Sequence, residues 1–316
     1  MMPEVSVVVA TRDRLPLLQL ALRSVARQRD VHIETVVVDD ASSDATAQAV
    51  TGRGDARVRV VRHERSLGVS GARNTGIAQA RGRWVAFLDD DDVWSPDKLA
   101  AQLAAAERQG RRWAVSGAVC VDDALRVLVG EPPLSPEQMV ADLGRYNTVP
   151  VGASNVVVRR DVLDEVGHFD RRLRHMADWE LWIRLARTGL PAVVPRPHVA
   201  YRLHLAAATI GTAHDPVEPI TELDLITRRH GIPADRAAVY RWIGWSALRA
   251  GRRRTAVAAY ARAARDGDRK SLARAALAVV HPGVGRRIFF SPVAIRGQDE
   301  AWLDEAREWL RDLARD

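Results

Sequence analysis

Over residues 5–90, runs of consecutive β-branched residues alternate with segments whose apolar positions recur every three or four. Val5–Ala10, Ile33–Val38, Val58–Val61 and Trp84–Leu88 read as strands, and Leu15–Gln28, Asp44–Val50 and Val69–Arg81 as the helices between them. Strands followed by helices in this order predict an α/β fold around a mostly parallel sheet. Val7, Val8 and Val9 are apolar at successive positions, so this strand is expected to be covered on both faces.

Beyond Pro96 the pattern predicts a helix to Gln109, a strand over Trp113–Val121, and a loop or flap from Pro132 to Pro150 with a short helix near Glu137. Ser154–Val158 reads as a strand, Arg160–Val166 and Met176–Arg187 as helices, and Ala192–Val194 with Val199–Leu203 as a last pair of strands. After Pro219 every periodic segment is helical: Ile220–His230, Pro233–Ala250, Arg254–Arg265, Lys270–Val280 and Glu300–Leu313. The expected division is an α/β domain over residues 1–215 and a basic helical region over 216–316.

Composition narrows the class. The chain has 316 residues, 47% hydrophobic and 28% charged, which excludes disorder and a small disulfide scaffold. Its single cysteine, Cys120, cannot form an internal bridge, and no apolar run approaches the roughly 20 residues that span a bilayer. A cytoplasmic protein is expected. Net charge is +7, yet between Arg228 and Arg296 sixteen basic residues face three acidic ones, Asp235, Asp266 and Asp268, so the remainder is acidic. With Trp242, Trp245, Phe289 and Phe290, this window is compatible with docking on an anionic membrane surface such as the inner face of the cell membrane. A solvated arginine-rich face is the plainer account. No nucleic-acid module accompanies the charge, so nucleic acid is not an expected partner.

Ligands of such sheets collect outside the carboxyl ends of the strands, and those ends are polar here. The first gives Thr11, Arg12 and Asp13. The second gives Asp39 and Asp40, the third leads to Gly68, Ser70, Gly71 and Arg73, and the fourth runs straight into Asp89, Asp90, Asp91 and Asp92. Four adjacent carboxylates either take up protons or hold a hard cation such as Mg2+ or Mn2+, which keeps open positions for phosphate oxygens. Gly68–Gly76 opens a helix, with Arg73 adding fixed positive charge.

Five segments together, Val5–Arg14, Val36–Asp44, Gly68–Gly76, Trp84–Pro96 and Ala177–Trp182, make the sequence resemble a family 2 glycosyltransferase with the GT-A fold over residues 4 to about 205. The resemblance implies an inverting transfer from a nucleotide diphosphate sugar to an acceptor hydroxyl on a glycan, glycolipid or small molecule. It implies that Thr11, Arg12, Asp40 and Arg73 bind the nucleotide. Asp89 and Asp91 fill an Asp-x-Asp pattern, Asp89 and Asp90 on the nucleotide side and Asp91 on the metal, with His204 as a second metal-facing residue. Asp178 matches the family's general base, with Glu180 in reserve; Ala177 stands where relatives carry Glu. Trp84, Trp179 and Trp182 are expected in the core, and Trp94 either there or against the sugar.

Two other readings compete. Asp89-x-Asp91-x-Val93 formally fits the nucleophile motif of haloacid-dehalogenase phosphohydrolases, but that chemistry wants its aspartates after the first core strand. A non-catalytic nucleotide-sugar-binding or scaffold protein would fit a site degraded at Ala177.

Overall fold

The computed structural model describes residues 2–52, 54–203, 218–280 and 300–315. They divide into two compact units. The first comprises Met1–Ala141, Thr148–Leu203 and the C-terminal stretch from Ile295; the second comprises Asp142–Asn147 and His204–Ala294.

The first unit is built on β1 (Val5–Thr11), α1 (Leu15–Ala26), β2 (Ile33–Asp39), α2 (Thr46–Thr51), β3 (Val58–Arg62), α3 (Gly68–Gln79) and β4 (Trp84–Asp89). Their strands lie parallel in the order β3-β2-β1-β4, with Thr11 beside Asp39 and Ala10 beside Asp89. Both faces are covered, as the unbroken apolar runs require. Val7 and Val9 of β1 and Val37 of β2 pack with Leu18, Leu22 and Val25 of α1, whereas Val36 and Val38 pack with Ala72 of α3. Gly76 lets α3 approach β1 closely: a Cβ there would lie 2.2 Å from Val8 Cγ1.

The second half of the sheet is mixed. It contains β5 (Val93–Trp94), α4 (Lys98–Arg108), β6 (Trp113–Val121), β7 (Val127–Glu131), α5 (Pro136–Leu143), a 3-10 turn (Gly152–Asn155), β8 (Val157–Arg159), α6 (Arg160–Val166), α7 (Ala177–Ala186) and β9 (Ala192–Arg202). β8 joins β4 and β6 antiparallel, β9 lies parallel to β6, and β5 and β7 pair antiparallel with β9 and β6.

Several details depart from the sequence reading: β5 and β7 are not among the expected strands, and Ser154, read as the start of a strand, lies in the 3-10 turn. Ala192–Arg202 is one strand, because Pro195 and Pro197, which lack an N–H, are absorbed in a register shift opposite Gly117 rather than ending the ladder. The carbonyls of Pro195 and Pro197 instead accept the indole N–H groups of Trp302 (2.7 Å) and Trp309 (3.1 Å). Both tryptophans lie on α12 (Glu300–Arg315), which therefore packs with the first unit rather than with the helices before it in sequence. Its Leu303, Ala306, Trp309, Leu310 and Leu313 are buried with Val93, Val119, Val121 and Ala200.

The described helices of the second unit are α8 (Glu218–His230), α9 (Arg236–Arg249), α10 (Arg253–Arg265) and α11 (Lys270–Val280). Asp235 caps α9 by accepting from the Ala238 N–H at 2.9 Å. Ala247, Leu248, Ala256, Tyr260 and Ala278 form the core, and Gly244 gives the Tyr260 ring room against α9. Among the described residues, no helix is long and apolar enough to cross a membrane.

Candidate active site at the sheet edge

The ends of β1 and β4 are adjacent, and this places Thr11 against the four aspartates. Its hydroxyl donates to Asp90 Oδ2 at 2.7 Å, while its carbonyl accepts the Asp40 N–H at 2.9 Å. Arg73, from the buried face of α3, pairs with Asp89 and lies 5.2 Å from the centroid of the Phe169 ring. Thr11, Asp40, Arg73, Asp89, Asp90 and Asp91 thus occupy one edge.

The aspartates differ in their tasks. Asp92 is fully buried: Oδ2 accepts from the Ser154 hydroxyl at 2.5 Å and Oδ1 from the Arg202 N–H at 3.0 Å. Burial pushes its carboxyl well above the usual range, with the Asp91 charge adding to the effect. It therefore ties the acidic loop to the 3-10 turn and to β9. Burial, then the neighbouring Asp91, raises Asp90 to about 6. Asp89 and Asp91 keep 30% and 11% of their side chains exposed. These two can meet a ligand.

A divalent cation suits this group, whose donors are hard oxygens at a negative edge. No three of the four carboxylates bring an oxygen within 4.8 Å of one another, so an ion here would complete its shell with ligand phosphates and water. A cation already sits on the pair: Arg14 Nη1 is 3.2 Å from Asp90 Oδ1 and 3.0 Å from Asp91 Oδ2.

Asp178 reaches the same edge from α7. Asn74 of α3 holds the loop before α7 at both ends of its amide, donating to the Phe169 carbonyl and accepting the Phe169 N–H, each at 2.9 Å. The Ser70 hydroxyl adds a bond to the Leu173 carbonyl at 3.1 Å. Gly152, in the left-handed region at φ 69°, passes so close that a Cβ would lie 2.8 Å from Asp178 Oδ2. Burial raises the Asp178 carboxyl above its ordinary value, opposed by the Arg73 charge and by the Trp179 N–H. A buried carboxylate with raised proton affinity beside a cationic and acidic edge has the character of a general base.

Several expected residues take other roles. Arg12 points to solvent, 55% exposed, and pairs with Asp13, because Asp13 turns the chain at φ 53°. Arg14, two residues on, meets the aspartates instead. Asp40 lines the edge, but both its oxygens are engaged. Oδ1 accepts from His63 Nδ1 and the Leu67 N–H, and Oδ2 from the Ser66 hydroxyl and the Gly68 N–H, so it fixes the start of α3. Glu180 is committed to Arg184, which also donates to the Val166, Gly167 and His168 carbonyls, and is not a spare base. Trp94 is core rather than a sugar platform, its indole N–H on the Ser154 carbonyl and Lys98 Nζ 3.9 Å from the ring centroid. Trp84, Trp179 and Trp182 are buried as expected. His204 lies outside the described residues.

Arg14 and Ser154 are the contributors that residue patterns missed, whereas His63 stands at the end of the third strand, where polar residues are expected. Arg14 was readable as the second arginine of the segment after β1; Ser154 acts through tertiary contacts that its local sequence does not announce.

Comparison with known proteins identifies the family and the fold. The profile of glycosyl transferase family 2 matches residues 6–167, just over half of the chain. The succinoglycan biosynthesis protein ExoO of Rhizobium meliloti is 43% identical over 113 residues, 36% of this chain and 32% of that protein, so the matched segment is about a third of the relative. The putative teichuronic acid biosynthesis glycosyltransferase TuaG of Bacillus subtilis is 30% identical over 60% of this chain and 75% of its own length. Among solved structures, residues 1–349 of TarS from S. aureus in complex with UDP-GlcNAc superimpose with a TM-score of 0.59 at 17% identity, covering 90% of each chain. The fold is shared with that protein, and the chain belongs to glycosyl transferase family 2 and is a glycosyltransferase.

Proposed function

We propose that the protein transfers a sugar from a uridine diphosphate sugar to an acceptor hydroxyl in the assembly of a cell-surface polysaccharide, with inversion and with a divalent cation. The observation that carries this reading is the meeting of Asp89, partly exposed, and Asp91, mostly buried, with Asp178 from a separate element, linked by the charge of Arg73. The donor class and pathway rest on relatives: ExoO is named for succinoglycan biosynthesis and TuaG for teichuronic acid biosynthesis, and WfgD of Escherichia coli, 24% identical over 66% of this chain, is named as a UDP-Glc-dependent glucosyltransferase acting on a diphosphoundecaprenol-linked sugar.

Asp91, with Asp89 beside it, would hold Mg2+ or Mn2+, which stabilises the negative charge of the departing diphosphate. Asp178 takes the proton of the acceptor hydroxyl as its oxygen bonds to the anomeric carbon. On the opposite face the bond from that carbon to the phosphate oxygen breaks, and its electron pair leaves with the nucleoside diphosphate. Arg73 opposes the effect of burial on Asp178 and positions Asp89. Thr11 and Asp90 brace the nucleotide side, and Asp40 shapes it through the Ser66 hydroxyl and the Leu67 and Gly68 N–H groups.

The test is UDP release from a panel of UDP-sugars with lipid-linked and soluble acceptors, with and without Mn2+. The reading predicts metal-dependent turnover lost in Asp91→Ala. UDP binding with no turnover across the panel would favour the non-catalytic reading. For the basic region we propose contact with an anionic membrane surface. Exposed Leu272, Val279 and Val280 on α11 accompany its arginines, and cosedimentation with vesicles containing phosphatidylglycerol, reversed by salt, is the expected result.

A further inference from the structure

Arg14 closes β1's connection to α1, at the residue where the helix begins, and donates no cap to it. Its guanidinium reaches back across the edge, and one nitrogen, Nη1, serves both Asp90 and Asp91. The counterpart pair is Arg73 with Asp89. Arg14 and Arg73 thus each offset part of the negative charge of Asp89, Asp90 and Asp91, and a bare dication must compete with a guanidinium already in place. A cation arriving with a diphosphate is a different case: the pair is nearly neutral, and the phosphate oxygens offer the guanidinium a new set of acceptors.

We propose that Arg14 is an internal counter-cation that occupies Asp90 and Asp91 in the donor-free enzyme, competes with the divalent cation for Asp91, and transfers to the diphosphate when donor and metal enter together. The inference rests on Asp91 as the metal-holding carboxylate. Metal and nucleotide then bind as a coupled pair, and the donor-free enzyme resists loading with metal alone.

The experiment is Mn2+ binding followed by electron paramagnetic resonance of the free ion, on wild type, Arg14→Gln, Arg14→Lys and Asp91→Asn, each without nucleotide and with saturating UDP. Thermal melting with and without Mn2+ accompanies each to show that the variant is folded. Without nucleotide, Arg14→Gln is expected to bind Mn2+ about tenfold more tightly than wild type, within the usual range of coupling between sites. Its melting temperature should rise more on adding Mn2+. UDP should tighten Mn2+ binding strongly in wild type and Arg14→Lys and much less in Arg14→Gln. Equal or weaker Mn2+ binding by folded Arg14→Gln without nucleotide overturns the proposal while leaving the metal reading intact, provided Asp91→Asn has lost the ion. Mn2+ binding that Asp91→Asn does not weaken overturns both.

Discussion

At the residue scale, the edge is a set of carboxylates that the fold drives to different protonation behaviour. Asp178→Asn removes the proton acceptor and is expected to lower kcat by about 10²–10⁴ with UDP binding retained, as measured by product release beside a thermal shift. Since Arg73 opposes the effect of burial on Asp178, Arg73→Gln should move the acidic limb of the kcat profile to higher pH. Asp90 holds its proton to about 6 when folded and to near 3.8 in the open chain, so folding takes up a proton between these values and stability falls as pH rises through them. The melting temperature of Asp90→Asn relative to metal-free wild type should therefore climb from about pH 4 to pH 6 and level off above. A climb confined to the alkaline side would contradict the assignment. Gly152→Ala combines a strained φ with a methyl group driven against Asp178 Oδ2, and should lose about 1 kcal/mol of stability together with activity.

At the scale of elements, strand ends were legible and their partners were not. The apolar runs of β1, β2 and β4 and the charged residues closing them announce both the sheet and its ligand edge, because a strand buried on both faces leaves only its carboxyl end for chemistry. Which arginine after β1 matters was hidden, since it depends on the left-handed turn at Asp13. β7 escaped notice because it is a short strand paired only with β6, with Leu128 exposed and Gly130 inside it, and β5 because two residues carry no period. Nor does any local pattern show that Asn74 of α3 clamps the loop leading to Asp178. Asn74→Ala leaves the Phe169 N–H and carbonyl without that partner and should destabilise the fold by about 1–3 kcal/mol. Misplacing Asp178 should also reduce kcat more than KM, a split that steady-state kinetics would read.

On the scale of the whole molecule, the chain leaves the first unit after β9, builds the second, and comes back for α12. Val93, the first residue after the acidic loop, is buried among the side chains of that returning helix. Most of the second unit is consequently inserted within the first, and the last helix packs against Val93, the residue that follows the aspartates. Cutting the chain at residue 215 would strip two proline carbonyls of their indole donors and open an apolar wall beneath the site, giving a fragment that melts early and fails to turn over. A peptide spanning 300–315, added in trans, should restore heat resistance to the short form.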